Sequence, residues 1–489
     1  MSTARANTIS LTYSKQERWF YGLAVLLMLT CIAIFSGTHH YWVIAIPFAL
    51  PLAAWFILNW KSFYWFYVVC IPFTVIVQVG GSSMMYLPQL PLTILMAGLT
   101  IVLLLYYRNI VYENLLRHPL TLIIALQYTW LVVSVIFSQI PIFSIKYLGI
   151  NTVQLLTFFI LPSIILKTKE DIFTLAKVFL IPMTLVGLYV FLHHAYLHFG
   201  YVETNIAARP FFYNHVDHAC IMSMLIPTFF ILWRYNKKDK RLRWLYLGLF
   251  LFYFVGMYLA FARAAMLGTI FAFIVFWAIR KRLVNWLMPL FFTFCIFIVS
   301  FMIYNNRFID YRPDFKHTYS RHTFNDLIKA SFVGGDMSSA ERFFRWIAAT
   351  RMSQEHPFVG VGPNNFYYFY KPNAVTVFKT YVSANPEKST THNYFFFLLV
   401  EQGWPAMLLY GILITAIFYH AQLLYHKTDN KLYRAMVMCS AMMVAAFFLN
   451  NLFSELLQMF RIGSLFYFAV ILLYWVDRQI KKEQKELPV

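Results

Sequence analysis

Apolar stretches of about twenty residues recur along nearly the whole chain, each long enough to cross the hydrocarbon of a bilayer as one helix. They fall near 19–37, 41–59, 63–80, 88–106, 119–138, 150–166, 173–192, 216–233, 244–261, 264–279, 284–304, 393–418, 434–452 and 463–476. Only 12% of residues are charged against 60% hydrophobic, too little polar surface to cover a water-soluble fold of this size. A soluble enzyme, a disordered chain and a collagen-like chain are all excluded. The pattern predicts an all-α polytopic membrane protein of about 12–14 transmembrane helices.

Charge orders these spans. The net charge of +20 could suit nucleic acid, but in a membrane protein Lys and Arg gather in cytoplasmic loops, so no nucleic-acid partner is expected. Arg5, Lys15 and Arg18 precede the first span, which reads as a retained anchor and not as a cleaved signal. Even-numbered connections carry Lys61, Arg108, Arg117, Lys167, Lys169, KKDKRLR at 237–243, RKR at 280–282, Lys427, Lys431 and Arg434. The tail adds Arg478, Lys481, Lys482 and Lys485. The short odd-numbered connections hold only Lys146, Arg209, Arg263 and Arg461. Both termini are therefore expected in the cytoplasm. The five cysteines lie scattered in apolar stretches without a CxxC, so they read as small core residues.

One connection is long. The expected division is an N-terminal transmembrane bundle over 1–304, a large outer loop over 305–391, and C-terminal helices with a cytoplasmic tail over 392–489. The loop is polar, of mixed charge and rich in Tyr and Asn, and its aromatic content argues against disorder. Within it SSAERFFRWIAATRMSQ (338–354) predicts an amphipathic helix opening on a Ser338/Glu341 capping box. HPFVGVGPNNF (356–366) reads as a turn-rich exit.

The cations on the outer side are the candidate ligands. An arginine at the end of an apolar stretch, as Arg263 is, either snorkels or binds an anion. Arg209, Lys146 and Arg461 share its side, as do Arg342 and Arg345 of the loop helix. Several guanidiniums on one face suit phosphate or pyrophosphate, which they grip bidentately. His392 opens a span at the outer interface, where an imidazole can stay neutral and accept a proton. Glu401, nine residues on, lies about half a turn round the helix and about 13 Å along it, so it is expected to be structural. His194 and His198 at i, i+4, followed by His215, Asp217 and His218, do not complete a known metal motif. The same segment can line the mouth of a sugar-donor site.

Three features together resemble a family. His392-Asn393 is followed after nine residues by Gly403, Arg263 is followed after three by Leu267, and between them runs a long loop carrying ERFFRW and HPFVGVGPNNF. This resembles the superfamily of O-antigen ligases, O-antigen polymerases and bacterial protein O-oligosaccharyltransferases. Where the ligase pattern has a further glycine after Gly403, this chain has Ala406. The resemblance implies a GT-C-like membrane fold with a partly helical periplasmic loop, in the bacterial inner membrane, with the active site on the periplasmic face. It implies transfer of a glycan from undecaprenyl pyrophosphate to an acceptor hydroxyl, without nucleotide, metal or other cofactor. The acceptor is lipid A–core for a ligase, another lipid-linked repeat for a polymerase, and Ser or Thr for a protein transferase.

The residues fit such chemistry. His392, Arg263 and Arg342 are the candidate catalytic residues. Arg209, Arg345, Lys146, Asn393, Arg461 and His215 are the candidate substrate-binding residues. Fixed cations can take the charge that develops on a departing phosphate, and an interfacial His can receive or orient the acceptor proton. A flippase or transporter of lipid-linked sugars is the rival from another class. It would need a polar path through the membrane, whereas the ionisable residues here gather at span ends.

Overall fold

The computed structural model describes residues 15–38, 51–78, 84–107, 115–309, 337–375 and 390–486. It is helical almost throughout, and among the described residues eleven helices are long and apolar enough to cross a membrane. They are Gln89–Tyr106, Pro119–Ile136, Pro141–Ile165, Lys169–Tyr196, His215–Tyr235, Lys240–Leu259, Arg263–Arg280, Val284–Ile303, Tyr394–Lys427, Lys431–Asn451 and Phe460–Lys485. A further helix, Lys15–Thr38, covers the first expected span. Part of the second, at 41–50, lies outside the described residues. The chain divides into two compact units, Met1–Tyr67 and Val68–Val489, and the second carries every site discussed below.

The third expected span, 63–80, is corrected. Helix Trp60–Cys70 stops two residues before Pro72, and Val75–Gln78 pairs antiparallel with Met84–Leu87, Ile76 facing Tyr86. Proline cannot continue the hydrogen-bond ladder of a helix, and the β-branched run Val75-Ile76-Val77 favours a strand. Mean hydropathy does not distinguish these cases.

Span ends also shift. The helix expected from 150 starts at Pro141, with proline at the helix start, where its missing N–H costs nothing. Lys146 is therefore in a helix and not in a connection. Polar residues of this helix are satisfied within it: Asn151 donates to the Tyr147 carbonyl and Thr152 to the Leu148 carbonyl. Arg263 and Arg461 are likewise first-turn residues of their helices.

Hydrogen bonds fix which helix ends meet. At one end, Asn450 Nδ2 donates to Ser223 Oγ, Asn451 Nδ2 to the Tyr410 hydroxyl, and the Tyr410 ring packs on Tyr394. Gly268 lies against Ala446 and Asn450, so a Cβ there would collide with them. At the other end, His426 Nε2 pairs with the Ile279 carbonyl, Gln422 with Asn285, Trp475 Nε1 with the Lys167 carbonyl, and the Tyr433 hydroxyl with Glu483. The basic connections thus meet at the end opposite Tyr394, as the charge pattern requires.

The loop helix is Met337–Glu355, one residue longer at each end than expected. Ala348, Ala349 and Met352 of its inner face pack with Val361, Phe366, Tyr370 and Val400. Loop residues 310–336 and 376–389 lie outside the described residues.

Helix Tyr394–Lys427 is broken at Gly403, whose φ is +81°. Gly403-Trp404-Pro405 interrupts the normal ladder, because Pro405 has no N–H and Trp404 N donates instead to the Pro357 carbonyl. Three helix carbonyls are freed and all three are taken up. Val400 O accepts from Val361 N at 2.9 Å, and Glu401 O from Gly362 N at 3.0 Å. Gln402 O accepts from Trp130 Nε1 at 2.8 Å. A Cβ at Gly403 would collide with the Phe358 carbonyl. Gly403→Ala is therefore expected to cost about 2 kcal/mol or more through left-handed backbone strain alone. It should lower the apparent Tm of the purified protein by several degrees and loosen the loop, as limited proteolysis would show.

Candidate functional site

His392 sits at the turn into helix Tyr394–Lys427 with φ +52°, a left-handed conformation that costs a non-glycine residue about 1–3 kcal/mol unless its surroundings impose it. The surroundings do so here. Asn393 is the N-cap, its side chain accepting from Phe395 N and Phe396 N. Glu455, from the short connection between the last two helices, reaches under the turn. Its Oε1 accepts from Thr391 Oγ1 at 2.7 Å and from Asn393 N at 3.2 Å. The backbone N–H of His392 and the Thr390 side chain add to the same carboxylate. Burial pushes the Glu455 carboxyl above the usual range, and these donors oppose that rise.

The loop helix closes over this turn. Trp346 Nε1 donates to the Thr391 carbonyl at 3.0 Å, and its indole stacks on Phe396 with centroids 5.4 Å apart. That docking brings two arginines one helical turn apart to the imidazole. Arg345 is 4% exposed and its Nε makes no hydrogen bond; Arg342 is half-buried. Burial first, then the positive charges of Arg345 and Arg342, hold His392 far below the ordinary imidazole value, at about 3. The imidazole is therefore neutral across the physiological range.

Glu401 is fully buried and bonds to the loop exit. Its carboxylate accepts from Asn364 N at 2.6 Å and Phe366 N at 3.1 Å, fastening the turn-rich exit 356–366 and the start of helix Phe366–Asn373. Asn365 Nδ2 donates to Ser138 Oγ, and Ser144 Oγ to the Pro363 carbonyl, which ties the exit to the start of helix Pro141–Ile165.

The remaining candidates lie apart from His392 in varying degree. Arg263 is the first residue of its helix and half-buried, at the same end of the bundle. Asn393 is at the centre. Lys146 is exposed beside Tyr147, which packs on Phe397. Arg209 is exposed, before a cis proline. Arg461 is buried, donating to the carbonyls of Ile71, Phe211 and Thr74 and lying over the Phe212 ring at 5.0 Å. His215 Nδ1 pairs with Asn205 Oδ1 at 2.8 Å. His194, His215 and His218 line one cavity with Phe252 and Leu259. His198 is beyond the end of helix Lys169–Tyr196, so it does not share a helix face with His194.

Sequence reasoning missed Glu455 and Trp346. The signal for Glu455 was an acid in the apolar connection NNLFSELLQ, which counting only Lys and Arg passes over. Trp346 had none beyond its place in an amphipathic helix.

Residues 248–411 match the family model described as O-Antigen ligase, about a third of the chain. The matched segment begins before Arg263 and ends beyond Gly403, and holds Arg342, Arg345, His392, Asn393 and Glu401. No curated protein matches the chain. The match agrees with the family that the motifs resemble and supports glycan transfer of the ligase or polymerase type in a multi-pass membrane protein.

Because Glu455 bonds to the His392 turn, and Trp346 holds the loop helix separately, Glu455→Ala should leave the loop helix in place and displace His392. A displacement of about 1 Å costs about a hundredfold in rate. The expected outcome is that loss of transfer with a near-normal KM for the donor and unchanged protein yield.

Proposed function

We propose that the protein is an O-antigen ligase-like glycosyltransferase. It moves a glycan from undecaprenyl pyrophosphate to a hydroxyl of lipid A–core at the periplasmic face of the bacterial inner membrane. The observation that carries this reading is the pairing of a neutral, turn-locked His392 with Arg342 and Arg345 inside the family-matched segment. Two guanidiniums suit a pyrophosphate, and a neutral imidazole suits an incoming hydroxyl.

In this scheme Arg345 and Arg342 bind the pyrophosphate and take the charge that grows on its leaving oxygen. Arg263, at a helix start at the same end, serves the same anion. His392 accepts the hydroxyl proton, or orients that hydroxyl, as the oxygen attacks the anomeric carbon in line with the departing phosphate. Such an attack inverts that carbon. Arg461, occupied by three carbonyls, holds the 71–74 turn against the 211–212 segment. With His392 at about 3 in the free protein, the base is too weak to compete for the proton. A bound pyrophosphate offsets the two arginine charges and so raises the imidazole by their share, while the larger share that comes from burial stays; donor binding strengthens the base.

A deletion strain complemented with wild type or His392→Ala tests the reaction. Loss of polymer from lipid A–core in the mutant, with long chains accumulating on undecaprenyl pyrophosphate, is expected. Core carrying single repeats, with only short lipid-linked units, would mean a repeat-unit polymerase instead. Normal pools in both would discard the ligase reading.

The electrostatic coupling has its own test. The acid limb of kcat/KM, which reports the free protein, should lie below that of kcat, which reports the donor complex. Arg345→Gln removes a positive charge from beside the imidazole. The His392 value then rises, and the kcat/KM limb should move to higher pH.

A further inference from the structure

Three ligand-bearing side chains converge at the end of the bundle opposite His392. His118 precedes helix Pro119–Ile136, His420 lies two turns before the end of helix Tyr394–Lys427, and Asp477 lies within Phe460–Glu486. One donor atom of each is within 4.8 Å of the others. The imidazoles of His118 and His420 meet edge to face with centroids 5.0 Å apart. His118 is 5% and Asp477 4% exposed. Both ring nitrogens of His118 and Nε2 of His420 are buried and make no hydrogen bond. Buried imidazole nitrogens normally find a partner.

We propose that His118, His420 and Asp477 form a binding site for a divalent transition metal of the zinc class. Zinc bonds to imidazole nitrogen and carboxylate oxygen at about 2.0–2.1 Å, which places neighbouring tetrahedral donors about 3.3 Å apart. His118 Nε2 is 3.4 Å from Asp477 Oδ2, long for a hydrogen bond and suited to that edge. Rotation of the His420 side chain closes the remaining gap. Lys481 Nζ lies 2.7 Å from the same oxygen, but its side chain is largely exposed and can swing into water when a metal takes its place. Two imidazoles and a carboxylate leave a fourth position for water. The metal would join three helices distant in sequence. Two of them, carrying Trp130 and Gly403, make the break that docks the loop.

The test uses the purified full-length protein in detergent, stripped with a chelator and titrated with zinc chloride by calorimetry. Bound metal is counted by mass spectrometry. Wild type should bind one equivalent, and His420→Gln and Asp477→Asn should each lose it while staying monodisperse. His198→Gln, remote from the cluster, should keep it. Lys481→Met, which removes the competing ammonium, should bind more tightly than wild type. That last readout does not depend on the ligand variants folding. Wild type binding no equivalent, His420→Gln binding as well as wild type, or Lys481→Met binding more weakly would each overturn the site. The first of these would fit a metal-free contact of His118 with Asp477 instead. None of these readouts depends on transfer activity.

Discussion

The break in helix Tyr394–Lys427 is the constraint on which the rest of the site depends. A helix in an apolar bundle can lose three ladder bonds only if other donors replace them, because an unpaired buried carbonyl is expensive. The replacements come from two separate parts of the chain, the 361–362 backbone and Trp130. One interruption therefore anchors the long loop and couples it to a neighbouring helix. With the exit segment fixed, helix Met337–Glu355 has a floor to pack on, and its arginines reach the imidazole.

Among the described residues, two buried ionisable side chains are held largely by peptide groups, Arg461 having Asp217 in the same cavity as well. Glu401 takes two backbone N–H donors of the 364–366 turn, and Arg461 gives its donors to three backbone carbonyls. Each side chain organises a stretch of irregular chain that would otherwise leave polar backbone unsatisfied next to apolar helices. Arg345 differs: it is as deeply buried, yet its Nε is unused. That contrast separates a fastening charge from one available to a ligand.

Much of the architecture was legible because membrane helices announce themselves by length and apolarity. The loop helix was legible from its amphipathic spacing, and His392, Arg342 and Arg345 from their shared side. Other features were hidden for physical reasons. Strand Val75–Gln78 falls in an apolar run that reads as part of a span, and Pro72, the β-branched run and the following Gly80-Gly81-Ser82-Ser83 are what betray it. The start at Pro141 was masked by Ser144, Lys146 and Gly149, which interrupt the apolar run ahead of residue 150. Glu455 acts through backbone groups more than sixty positions away in sequence, and no local pattern encodes that separation.

The left-handed backbone at His392 has an evolutionary consequence. Glycine would occupy that position with less strain than histidine does, so selection for stability alone favours removing the imidazole. If His392 acts as proposed, a lineage released from that chemistry would be free to drift toward glycine there while keeping Asn393, Glu455 and the broken helix intact. In a related sequence, the residue at this one position would then separate a working enzyme from a well-folded remnant.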